Sequence, residues 1–321
     1  QVVPGQQVVS SQVWIRTGSI HEQGHLGSGL SHFLEHMLFK GTDRRGPGEI
    51  AREAQMFGGQ INAYTAYERT VYYIDGPSEG LEKALDLLAD MVFHATLPAE
   101  EVRKEREVIL REIDMTLDDP DRILSRSLFT TAYREHPFRY PVIGHRPLFE
   151  QVDREILHRY YRARYQPENT VLAVAGQFDP QSLVEAVEGT FGDIPVAPLQ
   201  PVGIQEEPDQ LAPRENRSYG DFQIARGLMG YKVPSMRHSD APALDLLAAI
   251  MGSGNSGRLR QKLREDLGLV SDIMANCWNP RQPGLFSIRY QCPPEKAEKA
   301  EEAIQAMFSI LGEAGFTEPE L

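Results

Sequence analysis

The segment SHFLEHMLFKGT, residues 31–42, sets His32 and His36 four apart with Glu35 between them, inside an otherwise apolar run. On a helix, positions i and i+4 share a face, so two imidazoles can be aimed at one divalent ion. The order H-x-x-E-H inverts the zinc-binding pattern H-E-x-x-H and keeps its histidine spacing. Glu35 stands beside the second candidate ligand, where a carboxylate can take a proton from water. The competing account is a pair of core histidines with satisfied hydrogen bonds.

A catalytic zinc needs a third protein ligand and an open position. Pro98 opens PAEEVRKEREVILREIDMTLDD, a long charged helical pattern with proline well placed in the first turn. Glu105 and Glu112 are seven apart and nearly eclipsed at ~100° per residue. Val102, Ile109 and Ile113 share that face. Two carboxylates on an inward, apolar side are costly unless a cation or strong donors meet them. Grazing solvent, or pairing with Arg106 or Arg111, would relieve the cost, but those arginines project away from the face. The spacing favours Glu112 as the third ligand and Glu105 as the acceptor that holds a histidine ring.

These residues need a frame. VVSSQVWIRTGS (8–19) reads as a strand. Residues 28–40 read as a helix that Ser28 can cap and Gly41 can end. A second helix over 46–58 follows, then a strand pair or long strand over 61–76, then an amphipathic helix over 78–97. Helix continues from Pro98 to about residue 164, before a strand at 169–176 and a helix near 179–190. Residues 196–218 are proline-rich and poor in large apolar groups, an extended linker. Then the pattern starts again at an offset of about 210–216 residues. In the second copy His32, Glu35 and His36 fall on Ala243, Leu246 and Leu247. Packing alone therefore does not require the polar triad.

The division that follows is a metal-binding first domain over 1–195, the linker, and a truncated homologous domain without metal ligands over 219–321. The chain begins at Gln1 and stops before the second copy reaches its counterpart of the 98–118 helix, as a fragment of a longer protein would. At 41% hydrophobic, 25% charged and a formal charge of −13, the 321-residue chain reads as a soluble globular protein. The acidic balance argues against a nucleic-acid partner. No apolar run approaches membrane-span length. Cys277 and Cys292 flank a hairpin whose turn near Arg281 would set Cys277 opposite a residue near Phe286, so two free thiols are expected. GSGNSG (252–257) fits the dinucleotide pattern G-x-G-x-x-G, but a helix precedes it where the fingerprint needs a strand.

HFLEH, with a glutamate 76 residues beyond its second histidine in EREVILRE, resembles the pitrilysin-type (inverzincin, M16) zinc metallopeptidases, processing-peptidase-like members included. GGQINAYTAYERTVYY resembles the family's substrate-binding strand region, and the duplication matches too. The resemblance implies an α+β fold of two homologous repeats, each a largely antiparallel or mixed sheet with helices on one side. It implies one zinc per chain, held by His32, His36 and Glu112, with Glu35 as general base and Glu105 as the outer carboxylate. It assigns Asn62, Ala63 and Tyr64 to an edge strand pairing with substrate backbone, and Arg264 to a contact reaching substrate from the second half. Many active members carry a tyrosine seven residues after that arginine; here the position is Ser271. The implied activity is zinc-dependent endopeptidase cleavage of extended peptides or unfolded segments. The alternative is a non-catalytic peptide-binding or scaffold subunit of the same fold. The family also implies a homodimer, a heterodimer or further repeats of a longer chain; the sequence does not fix the compartment, and a soluble protein of a bacterial cytoplasm or periplasm is the expectation.

Overall fold

A computed structural model describes residues 1–252, 254 and 256–316. Ser253 and Asn255 of the GSGNSG segment lie outside the described residues. The chain forms two compact units, one from residues 1–118 and 135–208, the other from 119–134 and 209–321.

The first unit is built on β1 (Val8–Ile15), whose alternation puts Val9, Ser11, Val13 and Ile15 inward. Then come α1 (Leu30–Leu38), α2 (Glu49–Met56), β2 (Gln60–Thr65), β3 (Thr70–Pro77), α3 (Leu81–Phe93) and α4 (Ala99–Asp118). After α5 (Pro120–Ala132), which belongs to the second unit, the chain returns for α6 (Arg146–Phe149), α7 (Arg154–Arg164), β4 (Thr170–Ala175) and α8 (Pro180–Phe191). The sheet is antiparallel throughout, in the order β2-β3-β1-β4, so β2 is an edge. Its inner face meets α1 and α3 in one core of Val13, Ile15, Tyr72, Ile74, Leu34, Met37, Leu88 and Met91. Each such large apolar side chain taken from water contributes about 1.5–3 kcal/mol.

The second unit has β5 (Ala225–Val233), α9 (Ala241–Gly252), a π-helical segment Arg260–Asp266, β6 (Asp272–Trp278), β7 (Gly284–Cys292) and α10 (Ala297–Ala314). Its antiparallel sheet runs β5-β7-β6. Read from the far edge, β6-β7-β5 repeats the order β2-β3-β1, as the duplicated sequence pattern requires. Met251, Leu263, Ile273, Phe286, Ile288 and Ile304 fill its core. Cys277 pairs in register with Phe286, and both cysteines are free. Among the described residues no helix is long and apolar enough to cross a membrane.

Three local expectations change. The helix expected to run on to about residue 164 is broken, because Pro137, Pro141 and Pro147 interrupt the backbone ladder between α5 and α7. Helix α5, inside the 1–195 stretch by sequence, packs on β5 and joins the second unit. Ser28 does not cap α1: its hydroxyl is buried without a partner among the described residues, and Gly29 holds the N-cap position at φ 73°. A Cβ on Gly29 would lie 2.1 Å from the Ile143 carbonyl oxygen, so only glycine fits. The buried first-turn amide is met from outside the helix, since Glu22 Oε1 accepts from the Ser31 N–H at 2.8 Å.

Glu22 is 1% exposed, and burial pushes its carboxyl up to about 8 against the pull of the Ser31 hydrogen bonds. The unfolded chain releases that proton near 4.5. The folded state thus binds the extra proton, so its stabilisation is complete below pH 4.5 and is lost as pH rises through 8. At ~1.4 kcal/mol per pH unit, the whole span amounts to on the order of 5 kcal/mol. Glu22→Gln keeps the acceptor and cannot ionise. We expect the thermal midpoint of the wild type to fall several degrees further than that of Glu22→Gln between about pH 5 and about pH 8.5; parallel pH slopes would assign the effect to another group.

Candidate active site

The site forms where α1 lies against α4. Leu30, Phe33, Leu34, Met37 and Leu38 turn into the core, leaving His32, Glu35 and His36 on the remaining stripe. Helix α4 presents Val102, Ile109 and Ile113 to the same core, and Glu105 and Glu112 follow that face toward α1. The eclipsed spacing of the two glutamates thus becomes two carboxylates along one groove.

His32 Nε2 and His36 Nε2 each lie 3.9 Å from Glu112 Oε2. The three ligand atoms fall within 4.8 Å of one another. These separations exceed a hydrogen bond and are somewhat wider than the ~3.4 Å between tetrahedral donors around an ion at ~2.0–2.2 Å, so a small inward movement would close them on one. His32 Nδ1 is buried and has no hydrogen-bond partner among the described residues, so none of them accounts for this imidazole's burial. Two imidazoles and one carboxylate are a donor set suited to zinc. The accompanying groups are ordered too. His36 Nδ1 is 2.8 Å from Glu105 Oε1, which leaves Nε2 for an ion. Glu35 Oε2 accepts from the Thr65 hydroxyl at 2.5 Å, tying the carboxylate to the end of β2.

The electrostatics follow from burial. Desolvation, helped by His36, brings His32 down to about 3, so its ring is neutral throughout the ordinary range. Burial also pulls His36 down, but the Glu105 hydrogen bond and the Glu35, Glu105 and Glu112 charges outweigh it and raise its pKa. Glu35 is raised, chiefly by burial, with Thr65 and His36 opposing. Glu105 is lowered: burial would raise it, and His36 and Lys40 prevail.

Helix α4 brings His32, His36, Glu35, Glu105 and Glu112 together. Asn62, Ala63 and Tyr64 lie on the edge strand β2, whose partner among the described residues is β3. There the Ala63 N–H donates to the Asn62 side-chain oxygen at 2.8 Å. Tyr64 is turned to the other side of the sheet, where it meets Trp14 edge-on and Arg69 lies over both rings. Arg264 lies in the second unit on the π-helical segment, 3.8 Å from the Glu265 carboxylate. Ser271, in the same unit, donates its hydroxyl to the Gln291 carbonyl at 3.2 Å.

Neither arginine considered as a partner for Glu105 takes that role; Arg106 turns to the carbonyls of Glu150 and Val152 instead. The cation at Glu105 is Lys40, with Nζ 2.6 Å from Oε2. Sequence reasoning missed Lys40 and Thr65. Lys40 stands four beyond His36, the same interval that singled out the histidine pair, and so was within reach. Thr65 had no local signal, since its contact with Glu35 spans 30 residues.

The chain is similar to known proteins in sequence and in fold. The chain matches the family model for Insulinase (Peptidase family M16) over residues 2–146 and that for the Peptidase M16 inactive domain over residues 151–321. It is 34% identical over 318 residues to an uncharacterised zinc protease of Bacillus subtilis, covering 99% of this chain and 76% of that protein. An uncharacterised zinc protease of Mycobacterium tuberculosis is 32% identical over 322 residues, covering 100% of this chain and 73% of that one. The crystal structure of a protease from Helicobacter pylori superposes with a TM-score of 0.94 at 28% identity, over 99% of this chain and 78% of the other. A peptidase M16 inactive domain from Pseudomonas fluorescens, at 19% identity and a TM-score of 0.90, covering 100% of this chain and 77% of that one, shares the fold. The model named inactive covers the repeat in which Ala243, Leu246 and Leu247 replace the polar triad. By sequence match across both halves, and by fold, this chain belongs to peptidase family M16.

Proposed function

We propose that the chain is a zinc-dependent endopeptidase acting on extended peptides or unfolded segments. One observation supports this above all: His32, His36 and Glu112 converge without bonding one another, and a buried carboxylate, Glu35, stands beside them. When bound, a zinc ion supplies Lewis acidity toward a carbonyl and brings the pKa of water toward neutrality. His32, His36 and Glu112 would hold it. Glu35 accepts a proton from the attacking water and delivers it to the leaving nitrogen as the C–N bond breaks. Its raised pKa suits both halves of that transfer. Thr65 keeps Oε2 engaged and so fixes the plane of the carboxylate.

Edge strand β2 offers backbone groups to an extended peptide, which fixes the chain without demanding one sequence. Pairing there would exchange the Asn62 cap on Ala63 N–H for a peptide carbonyl. Arg264 is assigned to substrate contact by family resemblance alone, and Ser271 stands where many active members carry a tyrosine. In the competing reading, the chain binds peptide and does not cut it, with Ser271 in place of the family tyrosine.

Four outcomes follow. Titration of metal-free protein with zinc should give about one ion per chain, with the tight site lost in Glu112→Gln and His32→Ala. Near pH 6 binding should release about one proton and not two, because His32 is already neutral while raised His36 still carries its proton. Glu35→Gln should retain zinc and lose peptide cleavage by ~100-fold or more. A wild type that takes up zinc and peptide, with cleavage no higher than Glu35→Gln, would establish the non-catalytic reading. Thr65→Val removes a hydrogen bond that lowers the Glu35 pKa, so the acid limb of kcat/KM should move to higher pH. An acid limb that stays in place would detach Thr65 from the base.

A further inference from the structure

We propose that Lys40 is a positioning residue for the metal centre, its ammonium fixing Glu105 so that Glu105 can set the ring of His36. This rests on the zinc reading above. Glu105 is 7% exposed and is held by both oxygens: Oε1 lies 2.8 Å from His36 Nδ1 and Oε2 lies 2.6 Å from Lys40 Nζ. A carboxylate engaged at one oxygen can rotate and hand its ring partner either oxygen or neither. Engaged at both, it has one plane. That plane determines that Nδ1 of His36 carries the proton, and Nε2 is then free to face Glu112 Oε2, 3.9 Å away.

The backbone holds Lys40 in place for this. Helix α1 ends in a tightened turn, with the Phe39 N–H donating to the His36 carbonyl and the Lys40 N–H to the Met37 carbonyl. Gly41 then takes φ 128°, and its carbonyl accepts from both the amide and the hydroxyl of Thr96. Lys40 is thereby fixed one turn beyond His36 and on its side. Its charge also has work there. Glu35, Glu105 and Glu112 bring three carboxylates to one groove, and Lys40 balances one of them before any metal arrives. The Lys40 side chain is 27% exposed and that of Glu105 9%, so the pair is largely buried, and removing the ammonium costs fold stability as well as order at the metal site.

The test compares wild type, Lys40→Met, Lys40→Arg, Glu105→Gln and the double variant Lys40→Met/Glu105→Gln. Zinc affinity is read by competition with a chromogenic chelator, the cobalt(II) absorption spectrum reports ligand geometry, and metal-free melts confirm folding. Lys40→Met should fold with a lowered melt, bind zinc ~10-fold or more weakly and show an altered cobalt spectrum, the last two being what a merely structural role would not give. Lys40→Arg should recover affinity to within about threefold of wild type, because a guanidinium also reaches the carboxylate. In the Glu105→Gln background Lys40→Met should cost nothing further, since its effect passes through Glu105. Wild-type affinity and spectrum in Lys40→Met would overturn the proposal while leaving the zinc site standing, and so would full additivity in the double variant. Absence of zinc binding in the wild type would instead remove the zinc reading itself. Should Lys40→Met fail to fold, Lys40→Gln carries the same comparison.

Discussion

The site depends on the packing of α1 against α4. Each helix sends a full apolar stripe into one core, and each also carries polar groups that the same packing would bury at a loss. The loss is offset because the polar groups face each other. Glu105 meets His36 and Lys40, Glu35 meets Thr65, and Glu112 stands opposite both imidazoles. Slide α4 by one residue and its glutamates turn ~100° away, leaving buried histidines without counterparts. The hydrophobic contact therefore fixes the register of the chemistry.

The second repeat is a control within the same chain. Its strands take the order β6-β7-β5, matching β2-β3-β1, and a helix again lies on the sheet. Where α1 has His32, Glu35 and His36, α9 has Ala243, Leu246 and Leu247. The fold thus forms with or without the polar residues, so their presence in α1 calls for a use beyond packing. The same comparison explains the contrast in environment: a stripe of alanine and leucine needs no carboxylate, lysine or threonine around it.

Preorganisation runs outward in steps from the three candidate ligands. Glu105 orients His36, Lys40 orients Glu105, and the Gly41–Thr96 bonds hold Lys40. At the other end of the helix, Glu22 caps the Ser31 amide and Gly29 lets the chain pass the Ile143 carbonyl. Both ends of α1 are pinned, so the imidazoles between them have little freedom to drift.

Much of this was legible in the residues. The interval of four between His32 and His36, the seven between Glu105 and Glu112 and the apolar residues around them are helical periodicities, and periodicity is a local property that sequence carries in full. The duplicated pattern, the β2–β3 hairpin and the pairing of Cys277 with Phe286 are local in the same sense. The cap on α1, the partner of Glu35 and the allegiance of α5 were not legible. Glu22 reaches Ser31 across two short turns, Thr65 comes to Glu35 from the edge of a sheet, and α5 joins the second unit by packing on β5. The first contact spans irregular turns with no fixed period and the other two join segments far apart in the chain, so no spacing rule encodes them. Sequence alone determined which side chains share a helical face; the packed core decided which faces meet, because only burial of the apolar stripes brings α4 and β2 to α1.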